Sequence, residues 1–287
     1  MSRKTNPIVG LSGVEPNQTV TGKCQSDRRY HGFLINYSNA ASRLAGLPAT
    51  HAQMEADIGE IRFIANSKVL RRFTAAQLNT INALNKIAVR PGQEQIFFSN
   101  PKCRTPDGEE WTAFPAYGIP GVTLEVDIAA TAVDPQMTID QVYDYVPDQN
   151  KGFCLWEKKS VVNPNAGDMD IDNLTKKGAY SRIHLFTDKI SRVLVKVDEV
   201  AIHDRTPEKI KAFLEPYGLE VQAGTTPIVF DYTQQISDAL DMTKKAPDGK
   251  TDVVVDSFVI TPTHTAGVAT YQYIVERLIA NVALYVS

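Results

Sequence analysis

The chain has 287 residues, of which 43% are hydrophobic and 22% charged, and its formal net charge is −3. That length fits two domains of common size, and the composition is that of an ordinary globular chain. The slightly acidic balance argues against specific nucleic-acid binding, and no apolar run approaches the ~18–20 residues that span a bilayer.

The start, MSRKTNPIVG, is basic but lacks the apolar core of a secretory signal. Cys24, Cys103 and Cys154 are odd in number and far apart, so they form neither a disulfide framework nor a CxxC metal pair. Residues 1–28 are polar and carry Pro7, Pro16 and the basic side chains of Arg3, Lys4 and Arg28. They read as an extended N-terminal arm, and residues 2–22 are expected to order only on assembly.

Strand signals follow at 30–37 (YHGFLINY) and 58–65 (IGEIRFIA), where Ile58, Ile61 and Phe63 alternate as core candidates. Asn66-Ser67 is a turn, 68–73 a second strand, and Thr74 with Gln77 a capping box that starts a helix. Residues 95–99 (QIFFS) form an apolar strand, 100–121 a long loop with Trp111, and 122–128 an alternating strand that closes the first unit. Residues 134–150 read as a connector with a short amphipathic piece around Ile139 and Val142. The second unit has strands at 181–186 and 190–197, a turn at Asp198-Glu199, and a helix capped by Thr206 with Pro207 at its first position. A strand at 228–232, a loop at 233–252 containing Asp248-Gly249, a buried strand at 253–260 and a last strand at 271–275 complete it.

The two units share a pattern. Ile58 and Ile190 lie 132 positions apart, and the same offset matches Ile61 with Val193, Phe63 with Val195, Leu70 with Ile202 and Thr74 with Thr206. It also matches Leu78 with Ile210, Gly92 with Gly224 and Phe98 with Phe230. Two successive domains of one design point to symmetric assembly. Each unit has many short strands, one helix between strands and one long loop. The expected fold is therefore mainly β, each unit a β-sandwich or jelly roll with a helix packed at its side. The expected boundaries are 1–28 for the arm, 29–148 for the first jelly roll and 149–287 for the second, with 149–178 as its connector.

Catalytic signatures are missing. None of His31, His51, His184, His203 and His264 stands two or four residues from another, so a cupin-type metal cluster is not expected, and each reads as a surface or cleft residue. A Ser–His–Asp triad is open on sequence order alone, but there is no Gly-x-Ser-x-Gly elbow. There is also no P-loop and no dinucleotide turn. Asp168-Met-Asp170-Ile-Asp172 resembles the start of a calcium loop, but Asn173 stands where glycine is required and Ala179 where glutamate is. Asp168, Asp170 and Asp172 remain candidate ligands for a looser structural Ca2+ site. No catalytic residue and no organic cofactor is assigned. Trp111 and Trp156 fall outside the expected core strands and read as contacts between subunits or within loops.

The order of elements resembles the double jelly-roll major coat proteins of tailless icosahedral bacteriophages with an internal membrane, and the corticovirus type most of all. The resemblance is carried by IGEIRFIANSKVLRRFTAAQLNTINAL (58–84), QIFFSNP (95–101), GVTLEVDIAATA (121–132), ISRVLVKVDEVAIHDRTPEKIKAFL (190–214) and the VVVDSFVI strand. It spans residues 30–278, and its specificity lies in the order and the repeat. It implies a mainly β fold of two tandem eight-stranded jelly-roll β-barrels, each with a short flanking helix, in a structural protein of the virion, assembled in the host cytoplasm and not an enzyme. Three chains would form a pseudo-hexagonal homotrimer, and these capsomers would tile an icosahedral shell over a lipid membrane. Neighbouring capsomers, penton proteins and minor capsid or membrane proteins are the implied partners, with no specific nucleic acid. The competing reading is a two-module carbohydrate- or receptor-binding spike, for which Trp111 and Tyr117 are the candidate platform.

Overall fold

The computed structural model describes residues 2–147, 152–162, 165–246, 250–267 and 269–287. Two compact units divide the chain: Met1–Ala83, Ile87–Glu157 and Ala280–Ser287 form one, and Leu84–Lys86 with Lys158–Ile279 the other.

The strands of the first unit are β1 (Lys4–Pro7), β2 (Thr19–Lys23), β3 (Arg29–Ser38), β4 (Ile58–Ala65), β5 (Lys68–Thr74), β6 (Gln93–Phe97), β7 (Phe114–Pro115), β8 (Thr123–Ile128) and β9 (Gln136–Asp144). β10 (Phe153–Val161) carries the chain into the second unit. There follow β11 (Gly167–Asp168), β12 (Ala179–Leu185), β13 (Ile190–Val197), β14 (Val200–Arg205), β15 (Thr226–Val229), β16 (Leu240–Asp241), β17 (Thr243–Lys245), β18 (Asp252–Val254), β19 (Phe258–His264) and β20 (Tyr271–Ile279). The helices are α1 (Ala40–Leu44), α2 (His51–Asp57), α3 (Ala75–Leu84), α4 (Pro106–Trp111), α5 (Pro207–Leu214) and α6 (Val282–Val286).

In the first unit β1-β9-β3-β6 makes one sheet and β2-β8-β4-β5 the other. Lettered B to I in chain order, these are the B-I-D-G and C-H-E-F sheets of a jelly roll. The apolar faces meet. Phe33 on β3 lies 5.9 Å from Phe63 on β4, and Phe63 also packs on Phe98 at 4.6 Å and on Phe114 at 4.8 Å. The second unit repeats the design, with β10-β20-β12-β15 and β11-β19-β13-β14. There Tyr180 on β12 meets Phe258 on β19 at 4.7 Å.

The repeat extends to backbone detail. β4 and β13 start and end at the same offset of 132. Each feeds a two-residue hairpin whose residues both have positive φ, Asn66 and Ser67 at 47° and 63°, Asp198 and Glu199 at 49° and 63°. Such turns match the right-handed twist of the flanking strands. Thr74 and Gln77 form the expected capping box, at 3.0 and 3.3 Å, and Thr206 caps α5 through the Lys209 amide. Gly92 and Gly224 both stand at φ 76°, a left-handed conformation that suits glycine.

Several expectations are corrected. Residues 1–28 are not an arm outside the fold; they supply strands B and C. Val20 on β2 is fully buried, and Ile8 just after β1 is buried too, so short polar-flanked strands still contribute to the core. The supposed connector at 134–150 holds β9, a strand hydrogen-bonded on both sides. From Met137 to Tyr143 its buried residues, Met137, Ile139, Gln141 and Tyr143, follow period two, with Asp144 buried at the strand's end, so Ile139 and Val142 do not share a helical face. The strand expected at 253–260 is divided between β18 and β19, and the final strand runs on to Ile279. Helices α1 and α2 lie between β3 and β4, and α4 lies in the long loop. Residues Ala280–Ser287 fold with the first unit, where Asn66 Nδ2 donates to the Val286 carbonyl at 2.7 Å and Lys68 Nζ to the Tyr285 and Ser287 carbonyls at 2.9 Å. The Asp248-Gly249 turn and the boundary at 148/149 lie outside the described residues.

Candidate assembly surfaces

The histidines are mostly interior, contrary to the surface reading. His31, His184, His203 and His264 are buried, because each falls on an inward or strand-covered position. His184 Nε2 lies 2.6 Å from Glu276 on the adjacent strand, and His264 Nε2 lies 2.9 Å from the Tyr271 hydroxyl.

His31 comes nearest to catalytic geometry. Its Nδ1 is 2.5 Å from Ser99 Oγ and its Nε2 2.9 Å from Asp144 Oδ2. The environment is structural. Arg29 grips both Asp144 oxygens, at 3.0 and 2.5 Å, and the Ser99 amide donates to the His31 carbonyl at 3.0 Å. Burial opposes ionisation of Asp144, but the hydrogen bonds from Arg29 and His31 outweigh it and hold the carboxyl at about 2. Burial also lowers the basicity of His31. The group ties β3 and β9 to the chain that follows β6. A cavity of about 250 Å3 beside it is lined by Arg3, His31, Leu34, Phe97 and Glu109.

Asp168 and Asp170 point along the exposed side of β19. Asp168 Oδ1 accepts from Thr263 Oγ1 and Asp170 Oδ1 from Thr261 Oγ1, each at 2.5 Å. Alternate positions on a strand stand about 7 Å apart, so these carboxylates form a row, with Asp172 exposed beyond them. Among the described residues no three His, Cys, Asp or Glu side chains are grouped to hold a metal. Trp111 and Tyr117 are half-buried. Trp156 is interior, edge-on to Phe73 at 5.2 Å and beneath the Arg71 guanidinium at 4.6 Å.

The features that face outward are apolar side chains and sheet edges. Leu44, Leu47 and Val133 are exposed near the α1 end of the first unit, where Arg43 pairs with Asp134. In the second unit Val200 and Ile202 are exposed on β14, the last strand of its sheet. The sequence could name these residues as apolar but not show that the fold leaves them uncovered. Among the described residues the arrangement offers surfaces for contact.

Residues 5–143 match the model of the viral coat protein P2 N-terminal domain, and residues 156–280 match that of the viral coat protein P2 C-terminal domain. The chain belongs to the viral coat protein P2 family. It is a structural coat protein of the virion shell, not an enzyme, and it self-associates. Its structure is similar to the major capsid protein P2 from bacteriophage PM2, with a TM-score of 0.82 at 16% identity over 96% of this chain and 97% of that one. It is similar also to the structure of Sulfolobus turreted icosahedral virus, with a TM-score of 0.69 at 10% identity over 98% of this chain and 91% of that one. The PBCV-1 virus capsid is a third relative in fold, with a TM-score of 0.61 at 10% identity over 96% and 93% of the two chains. No curated protein matches this coat protein significantly in sequence. The double jelly-roll expectation is thus borne out.

Proposed function

We propose that three copies of this coat protein form a pseudo-hexagonal capsomer, and that capsomers tile an icosahedral shell over an internal lipid membrane. The observation that carries this reading is the doubled fold. Two jelly rolls share strand order, hairpin conformation and helix caps, so three chains offer six similar modules to a hexagonal lattice. Penton proteins and minor capsid or membrane proteins would fill the positions that a hexagonal tile cannot. An interface of this obligate kind buries more than ~2,000 Å2. The test is electron microscopy of the concentrated protein with and without lipid vesicles. Hexagonally packed tiles with three-fold averages are expected. Particles built from dimers or tetramers would overturn the reading.

A further inference from the structure

The two jelly rolls leave one equivalent position in different states. In the first, the outer edge of β5 is covered. The start of β10 runs parallel to it, with Trp156 opposite Arg71. Arg71 Nε donates to the Cys154 carbonyl of that strand at 3.0 Å, and Phe73 packs on Trp156. Leu70 on this strand is 1% exposed.

The repeat mates of Leu70 and Arg71, 132 positions on, are Ile202 and His203 on β14. No strand lies on the outer side of β14 among the described residues. Ile202 is 43% exposed and Val200 64%. His203 Nε2 is buried without a hydrogen-bond partner, at the position where Arg71 has a strand carbonyl. Burial lowers the His203 pKa to about 4, so near neutrality its ring is uncharged and has one N–H to donate. An apolar edge strand with an orphaned polar atom is a template for another strand.

A second unfilled edge has the complementary identity. β10, which covers β5, is strand B of its jelly roll. Strand B of the first jelly roll is β1, which ends the order β1-β9-β3-β6 and has no strand on its other side among the described residues. Lys4 and Thr5 on it are exposed. We propose that β14 of one copy is completed by β1 of a second copy, strand F against strand B, as β10 completes β5. The inference rests on the coat-protein reading and specifies the surface by which copies join. The contact pairs unlike edges, so repeated head to tail it gives a ring where the rotation between copies closes, and that closure removes both edges from uncontrolled pairing.

The test uses the full chain with Thr5→Cys and Ile202→Cys as separate, differently tagged variants. Co-expressed and mildly oxidised, they should give cross-linked dimers that carry both tags, while each variant alone gives no more than the wild type. Cross-linking of either variant with itself to the same yield would overturn the proposal. So would absence of the mixed cross-link while the oligomer mass is retained, and then the coat-protein assembly stands and only the edge assignment falls. A chain that stays monomeric at every concentration would overturn both. As a second measurement, Ile202→Lys should raise the oligomer–monomer dissociation midpoint at least ten-fold with the Tm of the monomer unchanged. An unchanged midpoint contradicts the proposal.

Discussion

Tyr30 and Tyr180, 150 positions apart, occupy the same place in the two jelly rolls. Each is fully buried at a bulge of strand D against strand I, between Tyr30 and Gly32 in one and between Tyr180 and Arg182 in the other. Each hydroxyl donates to a backbone carbonyl five residues earlier, Tyr30 to Gln25 at 2.8 Å and Tyr180 to Thr175 at 2.5 Å. The ring fills the core while the hydroxyl pins the chain that enters the strand. Removing a buried donor leaves its carbonyl without a partner, at a cost of about 1–3 kcal/mol. Tyr30→Phe and Tyr180→Phe should therefore each lower stability by about that much, and by similar amounts. Denaturant midpoints measure it, and an effect at one site alone would contradict the equivalence.

The E–F hairpins make a second pair. Glu199 adopts φ 63° without being glycine or asparagine, a conformation that costs an L-residue about 1–2 kcal/mol. Its ion pair with Lys196 is long, at 3.9 Å, and exposed. Glu199→Gly should raise Tm by a few degrees. Asp198→Gly should not, because Asp198 also accepts from the Asp256 and Ser257 amides, at 2.7 and 3.0 Å, and pairs with Lys244.

Glu94 makes stability fall as pH rises through the neutral range. It is fully buried on β6. Burial pushes its pKa up to about 8, and nearby Glu55 adds to the effect, while the hydrogen bond from Asn79 opposes it. Between the unfolded value, about 4.3, and about 8 the folded chain holds a proton that the unfolded chain has lost. Stability from this group is full below that range and falls as pH rises through it. Glu94→Gln should flatten the Tm profile between pH 5 and 8, and an unchanged slope would contradict the assignment.

Several groups act on the acid side, and His203 and Asp144 have the largest shifts among them. His203, with its pKa lowered to about 4, makes stability fall as pH drops from about 6.5 through 4, because the unfolded ring takes a proton first. Asp144, held at about 2, adds a further loss as pH falls from about 4 through 2. His203→Gln should reduce the first of these losses, leaving the share of His31 and His264, and leave the second unchanged, as read from Tm against pH.

The aromatic cluster of the first unit should be the costliest place to truncate. Phe63 touches Phe33, Phe98, Phe114 and Phe153, with centroids 4.6–6.1 Å away. Phe63→Ala should destabilise by about 3–5 kcal/mol, measured by chemical denaturation. A loss under 1 kcal/mol would contradict a packed core at this point.

The repeat was legible where the two units keep one spacing. From Ile58 to Phe98 the offset holds, and strands, turn and helix cap fell where the alternation and the Thr caps placed them. Upstream it was hidden. The D–E connection is short in the second unit, residues 186–189, but holds α1 and α2 in the first, so the D strands repeat at 150 rather than 132. Tyr30 and Tyr180 therefore did not align. β1 is hidden in the sequence for another reason: four residues ending in proline carry little strand signal, and their pairing with β9 is a tertiary property. The contact surfaces were least legible, because Leu70 and Ile202 are alike in sequence and differ only in what covers them.

The most direct test is the mass of the purified protein by light scattering across a dilution series. The coat-protein account expects about 95 kDa, three chains of 31.7 kDa, held on dilution. A species of 31.7 kDa at every working concentration would contradict it.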